Sequence, residues 1–182
     1  KSYSLIEEMG KPITFHSGVH WNDPLISATN RFISAHALSF TFFNVVHCCN
    51  WIVNGLSERF PKLKIVWTES GLAWTPWLGQ RLDNDYRMRS SECPSLKKLP
   101  SEYMKDMFYT SQPMEMPNDI SLLESTFKAI NAETQLLYAS DYPHWDMDMP
   151  STVCDLPFLS EAEKRNILGE KLFGIDVSDR FP

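Results

Sequence analysis

Three ionisable residues, His16, Glu69 and Asp141, each stand at the end of a short apolar run: PITFH at 12–16, KIVWTESG at 64–71 and LLYASD at 136–141. Each run is β-rich and is stopped by Ser-Gly or, for the third, by Pro143, so each reads as a buried strand delivering one polar side chain to its C-terminal tip. A carboxylate at such a tip is costly unless a metal, a cation or hydrogen-bond donors compensate it. In parallel α/β proteins that tip is where ligands and catalytic residues collect. The plainer alternative for Asp141 is that it caps the following turn or pairs with an arginine.

Other candidates surround these three. His20 follows His16 by four residues, but Ser17-Gly18 and Asp23-Pro24 make the stretch a loop, where His20 is either substrate-facing or an ordinary surface residue. His36 and His47 share a helix face three turns apart, roughly 16 Å at 1.5 Å per residue. That is too far to bind one ion, so both are read as structural. Trp21, Trp74 and Trp145 follow strand ends and either wall an aromatic pocket or simply pack. Asp141, Asp146 and Asp148 lack the turn glycine and closing glutamate of a calcium loop, which excludes that site.

The elements that must position these groups alternate along the chain. The first residues, with Tyr3, Ile6 and Met9 at helical spacing, resemble the tail of a helix and follow a Lys, not a Met. After the first strand, a helix is expected from His36 to about Gly55, its apolar face drawn through Phe42, Val45, Val46, Cys49, Ile52, Val53 and Leu56. After the second strand, a helix is expected over 76–88 with Trp77, Leu78 and Leu82 inside, then a polar loop over 90–100. A weaker strand at 107–111 precedes a helix begun by Asn118-Asp119. The Asp141 strand is followed by a loop and a short helix opened by the capping box Ser160–Glu163, and one further turn over 172–175. Strand and helix thus alternate four times, the signature of a parallel α/β architecture.

Composition narrows the classes. The 182 residues are 43% hydrophobic and 22% charged, enough for a single domain with a real core. A net charge of −6 speaks against nucleic acid or an anionic membrane as partner. No apolar run reaches the roughly 18 residues a membrane span needs and no signal peptide opens the chain; a reducing, cytoplasmic setting is expected from the cysteine usage. The four cysteines form no C-x-x-C pair, so neither a zinc ribbon nor a disulfide scaffold is indicated.

The blocks FHSG at 15–18, GLSERFPKLKIVWTESG at 55–71, YASDYPHWD at 138–146 and LSEAEKRNILGEKLFGI at 159–175 resemble the metal-dependent amidohydrolase superfamily. The nearest branch is amidohydrolase 2, which holds aminocarboxymuconate-semialdehyde decarboxylase and related aromatic-acid decarboxylases. The resemblance implies a (β/α)8 TIM barrel of which residues 1–182 form the C-terminal part, about the last four βα units. It also implies one divalent ion, Zn²⁺ or Mn²⁺, with His16 and Asp141 among its ligands, and His144 at the active-site rim. Two departures stand out. The first-strand H-x-H or E-x-H ligand pair does not occur, and Glu69 stands where many members carry a histidine. A carboxyl there serves as general acid or base if burial raises its pKa, or pairs with Arg81.

Two functional readings follow. In the first, the chain belongs to a hydrolase or decarboxylase acting on a small aromatic or unsaturated carboxylic acid, with Asp141 and Glu69 catalytic, His16 and Asp141 on the metal, and His20, His144 and Trp145 against substrate. In the second, it is an inert half barrel whose open edges need a missing N-terminal half or a second copy in a homo-oligomer.

Overall fold

The computed structural model describes residues 1–172 and 175–176. Helix α1 (Ser2–Glu8) leads into β1 (Ile13–His16), α2 (Phe32–Val53) and the short α3 (Leu56–Arg59). Strand β2 (Ile65–Thr68) is followed by α4 (Trp74–Arg89) and α5 (Pro100–Met104), and β3 (Phe108–Thr110) by α6 (Ile120–Ile130) and α7 (Ala132–Gln135). Strand β4 (Leu136–Leu137) precedes α8 (Ser151–Cys154) and α9 (Glu161–Arg165). A small antiparallel pair, β5 (Lys171–Leu172) with β6 (Ile175–Asp176), ends the described chain. The turn expected over 172–175 lies partly outside the described residues.

The four main strands form one parallel sheet in the order β1-β2-β3-β4. Parallel pairing needs a crossover between consecutive strands, and the helices supply it. All C-terminal tips therefore lie on one rim. The register sets which side chains share a face: Phe15 pairs with Trp67 and His16 with Thr68, while Trp67 pairs with Tyr109 and Tyr109 with Leu136. The alternation of a strand puts Phe15, Trp67, Tyr109 and Leu136 toward the helices, and His16, Thr68, Thr110 and Leu137 on the opposite, inner face.

The helix-side face is an aromatic core. Phe15 stacks on Trp67 at 4.7 Å between centroids, Trp67 meets Trp74 edge-on at 6.5 Å, and Trp74 meets Tyr109 at 6.0 Å. The Trp67 indole donates to the Met107 sulfur at 3.1 Å and the Tyr109 hydroxyl to the Met104 carbonyl at 2.8 Å, so neither polar tip is buried unpaired. Cys48, Trp51 and Ile52 of α2, Leu78 of α4 and Leu123, Phe127 and Ile130 of α6 close over it. All four cysteines are free thiols; burial pushes the Cys48 thiol well above its ordinary value, while Cys154 is exposed.

Several local expectations change here. Helix α2 begins at Phe32, a turn before His36, and its buried face runs through Ala35, Ser39, Asn44, Cys48, Trp51 and Ile52. Phe42 and Val46 are exposed. An apolar helix carries hydrophobic residues on every side, so spacing alone does not fix which side meets the sheet. At 22 residues with a mean hydropathy of 1.4, α2 is also long and apolar enough to cross a membrane by length and composition, contrary to the expectation that no stretch is. Its contacts are those of a layer helix on the sheet. Trp77 points outward, 57% exposed, while Leu78 is buried. The loop over 90–100 ends in α5, with Pro100 at its first position, where a missing N–H costs nothing. The expected starts of α6 and α9 are as the caps dictate: Asp119 accepts from the Ser121 N–H at 3.0 Å, and Ser160 and Glu163 bond reciprocally.

Trp67 touches both flanking aromatic layers, so truncation empties the centre of the core. We expect Trp67→Ala to destabilise the fold by roughly 3–5 kcal/mol, read as a shift in the urea midpoint at unchanged slope.

Candidate metal centre

The rim gathers its polar groups through an unusual backbone. Glu69 directly follows β2, whereas Asp141 lies four residues beyond β4, a strand of two residues that stops well short of the run predicted to end at Asp141; both residues have φ of 56°. This left-handed region costs a residue with a side chain roughly 1–2 kcal/mol, with Asp more tolerant than Glu. It turns both carboxylates back over the end of the sheet, where their side chains are only 11% and 16% exposed.

Ligating atoms of Glu69, Asp141 and His144 lie within 4.8 Å of one another. Each carboxylate already has an imidazole partner. His16 Nε2 is hydrogen-bonded to Glu69 Oε2, and His144 Nδ1 to Asp141 Oδ2 at 2.8 Å. The Asp141 backbone carbonyl also accepts the His144 backbone N–H at 2.9 Å, which closes the turn after Asp141. Arg81 pairs with Asp85 at 3.7 Å; the side-chain partner of Glu69 is His16.

Two carboxylates this close repel by roughly 3 kcal/mol at an effective dielectric constant of about 20. A cation between them, or a shared proton, removes that cost. One imidazole and two carboxylates form an N/O donor set suited to Zn²⁺ or Mn²⁺. A further observation fits a ligand at this end of the sheet: the hydroxyl of Thr68, the register partner of His16, is the single buried side-chain polar atom without a hydrogen-bond partner among the described residues. His16 touches the donor group through Glu69 and is not itself one of the three converging residues.

Beside the centre lies a cavity of about 220 Å³ whose lining includes His36, Phe40, Thr41, Glu69, Met114 and Asp146. His36 Nε2 is 3.5 Å from Asp146 Oδ2, and its ring is flanked by Phe40 and Trp145, each 5.0 Å away. Helix spacing alone reads His36 as structural; the structure puts it in the wall of the cavity that Glu69 lines. His20 and Trp145 do not line it. His20 is exposed and edge-on to Phe43 at 5.5 Å, and Trp145, 73% exposed, covers His36 from outside.

The turn that carries Asp141, His144 and Trp145 is tied to the end of β3. Ser111 bonds Ala139, the buried Gln112 amide donates to the Asp146 carbonyl at 3.3 Å, and the Met114 N–H donates to Asp148 at 3.1 Å. Partial burial pushes the Asp148 carboxyl up. Glu115 accepts the Leu72 and Ala73 N–H groups, capping α4, which has no side-chain cap of its own. Gly71, at φ 68°, gives Glu115 room. None of these long-range partners carries a local sequence signal.

Residues 1–175 match the amidohydrolase family. The chain belongs to that family. Its fold is shared by solved structures of 5-carboxyvanillate decarboxylase from Sphingomonas paucimobilis (23% identity, TM-score 0.66, 92% of this chain and 49% of that one) and an amidohydrolase from Mycobacterium avium subsp. paratuberculosis (20%, 0.70, 92% and 42%). A third is dihydroxybenzoic acid decarboxylase from Polaromonas, solved with bound manganese and the inhibitor 2-nitroresorcinol (19%, 0.64, 91% and 49%). These relatives are TIM barrels, and the chain spans about half their length. In this amidohydrolase chain His16 ends β1, Glu69 follows β2 and Asp141 lies four residues past β4, all at or beyond the C-terminal end of the sheet.

The Asp141 carboxylate at Nδ1 raises His144 above the ordinary imidazole value. A His raised in the folded state adds stability below its unfolded pKa of about 6.5 and loses it as pH rises through the higher folded value. In chelator-treated protein, Asp141→Asn is expected to lower the His144 pKa toward 6.5 and to flatten that pH dependence, both read by NMR titration and urea unfolding.

Proposed function

We propose that this chain supplies the last four βα units of a metal-dependent amidohydrolase-type barrel acting on a small aromatic or unsaturated carboxylic acid. The convergence of Glu69, Asp141 and His144 on one rim is the observation that carries the reading. The decarboxylase neighbours favour carbon–carbon cleavage over amide hydrolysis. A single Zn²⁺ or Mn²⁺, bound by Asp141 with His16 or with the Glu69–His144 group, would neutralise the two carboxylates and polarise substrate oxygens.

The chain's own residues divide the remaining work. Glu69, the more buried, is assigned delivery of a proton to the substrate carbon as the bond from that carbon to the departing CO2 breaks, and Asp141 the role of metal ligand. His16 and His144 orient these carboxylates. The cavity walled by His36, Phe40 and Met114 offers a partly apolar recess of about 220 Å³ beside Glu69 for a small planar substrate. His144 and Trp145 on the Asp141 turn, and His20 on the loop after β1, stand where substrate enters.

A second reading has its own support. Strands β1 and β4 each pair on one side only among the described residues, so both edges of the sheet are open to a further half barrel or a second copy. In that reading the centre is completed by the partner.

Metal content by elemental mass spectrometry, on protein purified without chelator, tests both. The first reading expects close to one Zn or Mn per chain. It also expects Asp141→Asn to weaken binding by more than the roughly 10–100-fold that loss of an outer-shell partner costs. Full metal occupancy in the variant would overturn the ligand assignment. A metal-free wild type that gains metal only as a dimer or with an added N-terminal half would establish the second reading.

A further inference from the structure

Helix α2 packs on the sheet through Cys48, Trp51 and Ile52, yet toward the rim its sheet-facing side turns polar. There Asn44 is fully buried. Its Nδ2 donates to the Thr68 carbonyl at 3.0 Å and the Phe15 carbonyl at 3.4 Å, and its Oδ1 accepts from the Ser17 hydroxyl at 3.2 Å. One turn earlier, the Thr41 hydroxyl donates to the Ser70 carbonyl at 2.9 Å.

The peptide groups so held are the ones that aim the site. The Phe15 carbonyl belongs to the peptide leading into His16, and the Thr68 carbonyl to the peptide leading into Glu69. The N–H of that second peptide donates to Thr110 Oγ1 at 3.0 Å, so the plane is pinned at both ends. With Ser70 fixed as well, the backbone on both sides of Glu69 is over-determined, the condition under which a non-glycine residue persists at φ 56°. We propose that Asn44 and Thr41 are positioning residues that hold His16 and Glu69 in register against each other and hold Glu69 in its left-handed conformation. An apolar residue would pack α2 on the sheet without any of these four bonds, whereas a buried amide has to make them. Asn44 carries no charge and is outside the converging donor group, so its effect on the rim passes through the backbone it holds.

The inference rests on reading the strand tips as the site, but it is tested without metal or substrate, so it fails independently of the metal reading. In chelator-treated protein, carbethoxylation of His16 by diethyl pyrocarbonate is measured by tandem mass spectrometry against His20 in the same digest. Glu69→Gly, which removes the carboxylate and tolerates the left-handed backbone, sets the unpaired rate for His16. Thr41→Val is expected to raise the His16-to-His20 ratio about fivefold, the effect of one lost hydrogen bond, and Asn44→Ala to raise it further, toward the Glu69→Gly limit. If Asn44→Ala does not fold, Thr41→Val alone decides. A ratio that changes less than about twofold, the smallest effect such a bond carries, while melting temperature falls would overturn the proposal and leave a packing role.

Discussion

Two carboxylates whose reach overlaps within 4.8 Å, both largely withdrawn from water, are the constraint on which the rest of the rim depends. Left alone they repel, and each sits on a backbone conformation that its own side chain disfavours. What surrounds them answers this. An imidazole is set against each carboxylate, the peptide groups around Glu69 are fastened to α2 and β3, and the Asp141 turn is bonded to the end of β3 through Ser111, Gln112 and Asp148. A collapsed but unfastened rim would let the carboxylates swing apart into solvent, since separation relieves their repulsion.

The fastening depends in turn on the sheet. Parallel pairing brings His16, Glu69 and Asp141 to the same edge from positions far apart in the chain. The helix-side aromatic core then fixes the height of each strand relative to its neighbours, because Phe15, Trp67 and Tyr109 pack on one another and on the helices above. Helix α2 serves both layers: apolar where it covers this core, polar where it reaches the rim. The resulting sheet is open at β1 and β4, and the amidohydrolase barrels that share its fold are about twice as long.

Much of this was legible in the residues. Short β-rich runs closed by Ser-Gly or Pro give away β1 and β2 and the polar residue each delivers, because a strand's end is a local event. The caps at Asp119 and Ser160 are local too, and the starts of α6 and α9 follow from them. The blocks around Gly55–Gly71 and Tyr138–Asp146 carry the family resemblance that the match over residues 1–175 bears out. The inward side of α2 is not legible from spacing because a helix with Phe, Val and Ile on every side has no phase to read. Trp77 was misplaced for a similar reason, since Leu78 beside it is equally apolar.

The sequence by itself determined that strands and helices alternate and that His16 and Glu69 stand at the ends of β1 and β2. Only the tertiary structure decided which of those groups meet. It set Glu69, not His16, beside Asp141 and His144, brought His36 to the wall of the Glu69 cavity, and gave Asn44 two carbonyls from neighbouring strands. The physical reason is the range of the forces involved. Strand and cap signals arise between residues a few positions apart, whereas ligand geometry and backbone clamping need atoms within about 3–5 Å that lie tens of residues apart in sequence, and only the packed sheet brings them there.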